Sequence, residues 1–216
     1  GYFYAVKERD LFVNFYSESV GEVQVAGTPV KLTQTTDYPW SGTIKLTVSP
    51  ACATRFALKV RIPGWTQGHP VPSDLYTYTS APAGARVLLG GEPVTVAPES
   101  GYVTIDREWR EGDKVTLEFP LRVQVVKGHD AIAATRGQAA LERGPVVYCV
   151  EGVDQGIAEL ALRAPFQFTP VVAEPSVGGA TALAVHPAGA PTFTAIPYFA
   201  WNNRGLQPMK VWLPLP

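Results

Sequence analysis

Phe56-Ala57-Leu58-Lys59-Val60-Arg61-Ile62 puts Phe56, Leu58, Val60 and Ile62 on one side of an extended chain, with Lys59 and Arg61 on the other. Successive side chains of a strand point to opposite faces, so this run reads as a β-strand with one dry and one wet face. Thr43–Val48 repeats the pattern with Ile44, Leu46 and Val48 against Thr43, Lys45 and Thr47. Lys114–Phe119 repeats it again with Val115, Leu117 and Phe119 against Lys114, Thr116 and Glu118. Clean alternation of this kind belongs to antiparallel sheets that cover a core on one side only.

Further strands are expected at Leu11–Tyr16, Glu22–Val25, Val87–Leu89, Val94–Val96, Tyr102–Asp106, Leu121–Val126, Val146–Val150, Ala158–Leu162 and Lys210–Leu213. The best helical stretch is Ala131–Leu141, which Gly137 weakens. Short strands between Gly- and Pro-rich turns predict an all-β fold of two antiparallel β-sandwich units, of jelly-roll or immunoglobulin-like type. The boundary is expected where Lys114–Phe119 meets Pro120. That gives units 1–120 and 121–216, with the last strand, Met209–Leu213, free to return to the first. The stretch Pro170–Pro191 reads as loop-rich.

Composition narrows the function. The 216 residues are 46% hydrophobic, ample for packed cores, so disorder is excluded. No run of apolar residues is long enough to span a bilayer, and Gly1–Glu8 shows no basic start or cleavage site, so neither a membrane nor a targeting signal is expected. Eighteen basic against nineteen acidic side chains leave a net charge of −1 without a basic stripe, which argues against nucleic acid.

Candidate chemistry is sparse. Asp106 with Glu108, and Glu111 with Asp113, have carboxylate spacings that glycoside hydrolysis could use, but the interleaved Arg107 and Arg110 favour surface ion pairs. Cys149 lies inside the apolar run Val146–Val150 and Cys52 in a turn without a nearby His, so both read as structural thiols. His69, His129 and His186 sit in three separate loops, and metal binding is not expected. Gly90-Gly91 and Gly178-Gly179 lack the residues that cradle phosphates. Four of the five tryptophans fall at strand ends or in loops, where a ring plugs a sandwich, covers a partner or stacks on a sugar. Trp65 and Trp201 are the stronger contact candidates, the latter beside Asn202, Asn203 and Arg204, which could orient sugar hydroxyls.

Five strings together resemble one family. Asp37-Tyr38-Pro39-Trp40-Ser41-Gly42 is similar to its YPW-x-G turn, and Leu58-Lys59-Val60-Arg61-Ile62-Pro63-Gly64-Trp65 to its L-x-x-RIPGW strand end. Gly101–Trp109 with Gly112-Asp113 resembles its next hairpin. Arg143-Gly144-Pro145-Val146-Val147-Tyr148-Cys149-Val150-Glu151-Gly152 and the closing Tyr198–Gly205 and Met209–Leu213 complete the set. The order resembles the C-terminal part of the β-L-arabinofuranosidase family of glycoside hydrolases, from end to end of the chain. It departs where the family's Val-Asn-Gly turn is replaced by Leu88-Leu89-Gly90-Gly91-Glu92.

The resemblance implies an (α/α)6 barrel followed by β-sandwich domains. In that arrangement the cysteine nucleophile, the catalytic glutamate and the zinc lie in the barrel, upstream of the strand Leu11–Tyr16. Neither Cys52 nor Cys149 matches those positions. The expectation is therefore a non-catalytic region, with no cofactor of its own, that braces the catalytic barrel of a longer hydrolase and contributes a dimer contact. Trp65, Trp201, Asn202 and Arg204 are its contact residues. A stand-alone module binding arabinose-containing carbohydrate is the second reading, and cell-surface adhesion ranks last because fold does not imply function.

Overall fold

The computed structural model describes residues 2–172 and 180–216. It is almost entirely β, as the alternation predicts, and divides into two compact units. The first comprises Gly1–Gln67 and Ala83–Leu121, the second Gly68–Pro82 and Arg122–Pro216.

In chain order the first unit carries β1 (Tyr4–Lys7), β2 (Asp10–Val13), β3 (Ser19–Val25), β4 (Thr28–Thr35), β5 (Thr43–Pro50) and β6 (Thr54–Arg61). After β7 (Tyr76–Tyr78), which belongs to the second unit, come β8 (Arg86–Leu89), β9 (Glu92–Val94), β10 (Tyr102–Trp109) and β11 (Asp113–Glu118). These strands form a four-stranded sheet, β1-β2-β6-β10, and a six-stranded sheet, β3-β4-β5-β11-β8-β9. Their apolar faces share one core. Phe56, Leu58 and Val60 from β6 meet Ile44, Leu46 and Val48 from β5 and Val115 and Leu117 from β11, all at most 1% exposed. Each such side chain contributes about 1.5–3 kcal/mol when fully buried. Trp109 is 0% exposed, stacks on Phe56 at 5.7 Å and donates its indole N–H to the Phe56 carbonyl at 3.0 Å.

The departure from the family turn at Gly90-Gly91 closes the β8–β9 hairpin in register, pairing Leu89 with Glu92 and Val87 with Val94. Both glycines have positive φ, 57° and 97°, which a two-residue hairpin turn of this hand requires.

The second unit is built on β7, β12 (Val123–Gly128), β13 (Gln138–Arg143), β14 (Val146–Glu151), β15 (Phe166–Val172), β16 (Thr181–Pro187) and β17 (Phe193–Pro197). Their order is β15-β16-β17-β14-β13-β12-β7. The closing pair, β18 (Met209–Lys210) and β19 (Leu213–Pro214), adds to β14 and β13, so the last strand stays in this unit.

Several expectations are corrected here. A single cut near 120 misses the excursion Gly68–Pro82, whose β7 pairs Tyr78 with Val126 and Tyr76 with Gly128. The Tyr78 hydroxyl donates to Glu142 at 2.7 Å on the neighbouring β13. Ala131–Leu141 is no helix. Gly137, at φ 67°, separates a 3-10 turn at Ala133–Thr135 from β13, whose Ala139, Ala140 and Leu141 are buried between β12 and β14. Burial in a central strand overrides the local helix preference of alanine and leucine. Ala158–Leu162 is not a strand. Within Pro170–Pro191, β15 and β16 run as a ladder from Phe166↔Pro187 to Val172↔Thr181. Pro170 is accommodated because β15 is an edge strand. The Gly178-Gly179 pair lies outside the described residues.

Candidate functional site

Glu151, the last residue of β14, ends an apolar strand with a carboxylate that is 0% exposed. Burying a charge is costly unless it is paired and hydrogen-bonded, and the segment after β17 supplies the partners. There the chain makes a 3-10 turn, Tyr198–Ala200, whose Ala200 is wholly buried, and then carries Trp201 to Gly205 outward. The Trp201 N–H donates to the Tyr198 carbonyl at 3.1 Å. Asn202 takes φ 68°, a left-handed conformation that asparagine tolerates better than most residues, and its backbone N–H donates to Glu151 Oε1 at 2.8 Å.

Arg204 completes the lock. Its Nε donates to Glu151 Oε2 at 3.2 Å, and Nη2 donates to the same oxygen. Nη1 and Nη2 reach the two oxygens of Asp154 at 2.7 Å each. Bidentate, charge-assisted pairing of this kind is among the stronger polar contacts in proteins. The Asp154 hydrogen bonds, together with Glu151, raise the Arg204 pKa above its ordinary range despite partial burial.

The ion cluster determines what the segment presents. Arg204 is committed to Glu151 and Asp154, and Asn202 gives its backbone N–H to Glu151, so the exposed groups of the segment are the rings together with Asn202 and Asn203. Tyr198 and Trp201 lie nearly parallel, 12° apart with centroids 6.4 Å apart. They are 45% and 36% exposed, Phe199 is 64% and Leu206 is 85% exposed. Trp201, Asn202 and Arg204 thus share one segment of the second unit. Trp65 belongs to the first unit, in the 3-10 turn Gly64–Gln67, where its ring packs edge-on against Phe119 at 6.0 Å as a half-buried plug.

The other candidates are tied down locally. Asp106 pairs with Arg55, Glu108 with Arg110 and Asp113 with Arg107, all on the surface. Burial, with Glu151 nearby, pushes the Cys149 thiol up to about 12, far from a thiolate nucleophile or metal ligand. Cys52 is exposed beside the hydroxyls of Thr28 and Thr54. His186 is held between the hydroxyls of Thr169 and Thr192 at 3.1 and 2.9 Å. Among the described residues no group of three or more His, Cys, Asp or Glu side chains could hold a metal ion. These donors do not fit a zinc site, and no catalytic step through zinc is assigned to them.

Sequence reasoning missed Glu151 and Asp154 as the anchors of Arg204. The available signal was an acid closing an otherwise apolar strand, followed three residues later by a second acid. It also missed Tyr198, whose ring lies alongside Trp201.

Comparison with known proteins divides the chain once, near residue 122 where the expected boundary lies, and keeps Gly68–Pro82 with the first portion. Residues 10–121 match the family described as β-L-arabinofuranosidase, GH127 middle domain, and residues 123–214 match the glycoside hydrolase family 127 C-terminal domain. The chain is 29% identical over 208 residues to the non-reducing end β-L-arabinofuranosidase of Bifidobacterium longum subsp. longum, an alignment covering 83% of this chain and 29% of that protein. Among solved structures it resembles a GH127 β-L-arabinofuranosidase from Geobacillus stearothermophilus T6 at TM-score 0.86 and 34% identity, over 100% of this chain and 35% of that one. A second GH127 β-arabinofuranosidase gives TM-score 0.85 and 33% identity, over 100% of this chain and 36% of that one. The chain spans about a third of the length of these relatives.

Proposed function

We infer the role of this chain from its membership of glycoside hydrolase family 127, to which it belongs as a middle and C-terminal portion. It serves as the non-catalytic region of a longer hydrolase resembling β-L-arabinofuranosidases, and it braces the catalytic barrel that the remaining two thirds of such relatives would supply. The observation that carries this reading is the segment 198–206. An ion cluster centred on the buried Glu151 carboxylate fixes its backbone at Asn202, and it presents Tyr198, Phe199, Trp201 and Leu206 outward. Exposed apolar groups on a preorganised frame support a protein surface as the occupant, since aromatic anchors dominate protein interfaces and Leu206 offers nothing to a sugar hydroxyl. The surface carboxylates and the protonated Cys149 agree with a role outside the chemical step.

Two measurements test the reading. In the full-length hydrolase, Trp201→Ala combined with Phe199→Ala should lower the thermal midpoint of the catalytic barrel while the second unit keeps its own. An unchanged barrel midpoint overturns it. The 216-residue chain alone, without the barrel, should self-associate with concentration in sedimentation experiments through the same segment, and a strict monomer at high concentration would count against the reading.

A further inference from the structure

The connection between β14 and β15, residues 152–165, has no regular secondary structure, and connections of that length inside a compact unit are uncommon, being either functional or disordered linkers. It is nevertheless pinned along its whole course. Asp154 holds Arg204. Gln155 acts as a surrogate backbone, donating to the Thr194 carbonyl at 3.1 Å and accepting from the Thr194 N–H at 3.1 Å. Lys210 Nζ donates to the carbonyls of Ile157 and Ala158 at 2.8 and 3.2 Å. The Leu162 N–H reaches the Pro214 carbonyl, and the Arg163 carbonyl accepts from Ala188.

Between this connection and the β16–β17 turn lies a cavity of about 590 Å³, within the 300–1,000 Å³ typical of small-molecule sites. Pro191 and Phe193 form part of its apolar lining, and Glu159, Arg163 and Thr192 supply its polar groups. Glu159 and Arg163 form no ion pair among the described residues. A carboxylate acceptor, a guanidinium donor and a hydroxyl shared with His186, all on exposed residues, therefore line one electrically balanced pocket. Balanced charge disfavours strongly anionic or cationic ligands. Alternating donors and acceptors beside an apolar wall match the vicinal hydroxyls and C–H face of a neutral sugar.

We propose that this cavity is a carbohydrate-binding site, separate from the segment 198–206, that takes a short arabinofuranosyl oligosaccharide. Glu159 accepts and Arg163 donates hydrogen bonds to ring hydroxyls, while Pro191 packs against the sugar's apolar edge above the buried Phe193. The choice of arabinose rests on the family reading above, whereas the pocket itself does not.

The test is calorimetric titration of the 216-residue chain with an L-arabinofuranosyl disaccharide, with maltose as the comparison sugar, backed by saturation-transfer NMR. The expected result is saturable binding of the arabinoside that falls at least tenfold in Glu159→Ala and in Arg163→Ala, with unchanged thermal midpoints and with Trp201→Ala still binding. Thr192→Val provides a third variant should either charge removal alter folding. Absence of binding by both methods, binding that survives the pocket variants, or loss only in Trp201→Ala overturns the proposal. Equal binding of maltose would overturn the arabinose assignment and leave a general sugar site. None of these outcomes bears on barrel stability, so failure here is distinguishable from failure of the bracing role.

Discussion

Removing the Glu151 carboxylate is the most informative single perturbation of this molecule. Glu151→Ala deletes the acceptor for the Asn202 N–H and for two N–H groups of Arg204. Breaking a buried pair by removing one partner costs about 3–5 kcal/mol, and a hydrogen bond to a charged group is worth about 1.5–3. Arg204 keeps both bonds to Asp154, so its charge is not orphaned and the cost belongs at the low end, about 3 kcal/mol. For a chain of this size that lowers the thermal midpoint by roughly 6–12 °C. Arg204→Met is the opposite case. It leaves a wholly buried carboxylate with only the Asn202 N–H, and should cost more than Glu151→Ala at neutral pH. The assay is thermal denaturation at neutral pH followed by circular dichroism. A Glu151→Ala loss of less than about 2 °C, or a deficit for Arg204→Met no larger than that for Glu151→Ala, would refute the reasoning.

Tyr78→Phe removes the 2.7 Å bond to Glu142, a carboxyl whose pKa burial raises and which that bond draws back down. The variant should lose about 1 kcal/mol at neutral pH and recover as the pH falls through the carboxylate range, since a raised folded-state pKa gives stability that is fully present only at low pH. Pulsed thiol labelling at mildly alkaline pH should modify exposed Cys52 in the native chain and reach Cys149, with its thiol pushed up to about 12, only in denaturant. Labelling of both at one rate would contradict the burial. Gly42→Ala should cost about 1–3 kcal/mol in urea unfolding, because its Cβ would fall 1.9 Å from the Phe119 carbonyl oxygen.

The parts of the fold legible in the sequence are those where one face is wet. β5, β6 and β11 carry strict alternation, and their inward residues are the core. β13 lacks that signal because Ala139, Ala140 and Leu141 are buried in succession within a central strand. β15 lacks it for the opposite reason, being largely exposed and carrying Pro170. The excursion through β7 left no trace in the pattern, since three residues at a sheet edge have no period to read. At the site, Trp201, Asn202 and Arg204 stood out by residue type. Their division of labour depended on Glu151 and Asp154, about 50 positions away, which only the pairing of β14 and β17 brings close.

The excursion at Gly68–Pro82 bears on how such proteins are inherited. A recombination break at codon 121 would hand the downstream gene segment a sheet stripped of β7, and the Glu142 carboxyl its tyrosine partner. The upstream segment would keep an orphaned loop with nothing to pair. The two sandwich regions therefore form a single unit of exchange, and gene shuffling has to move them together or rebuild an edge.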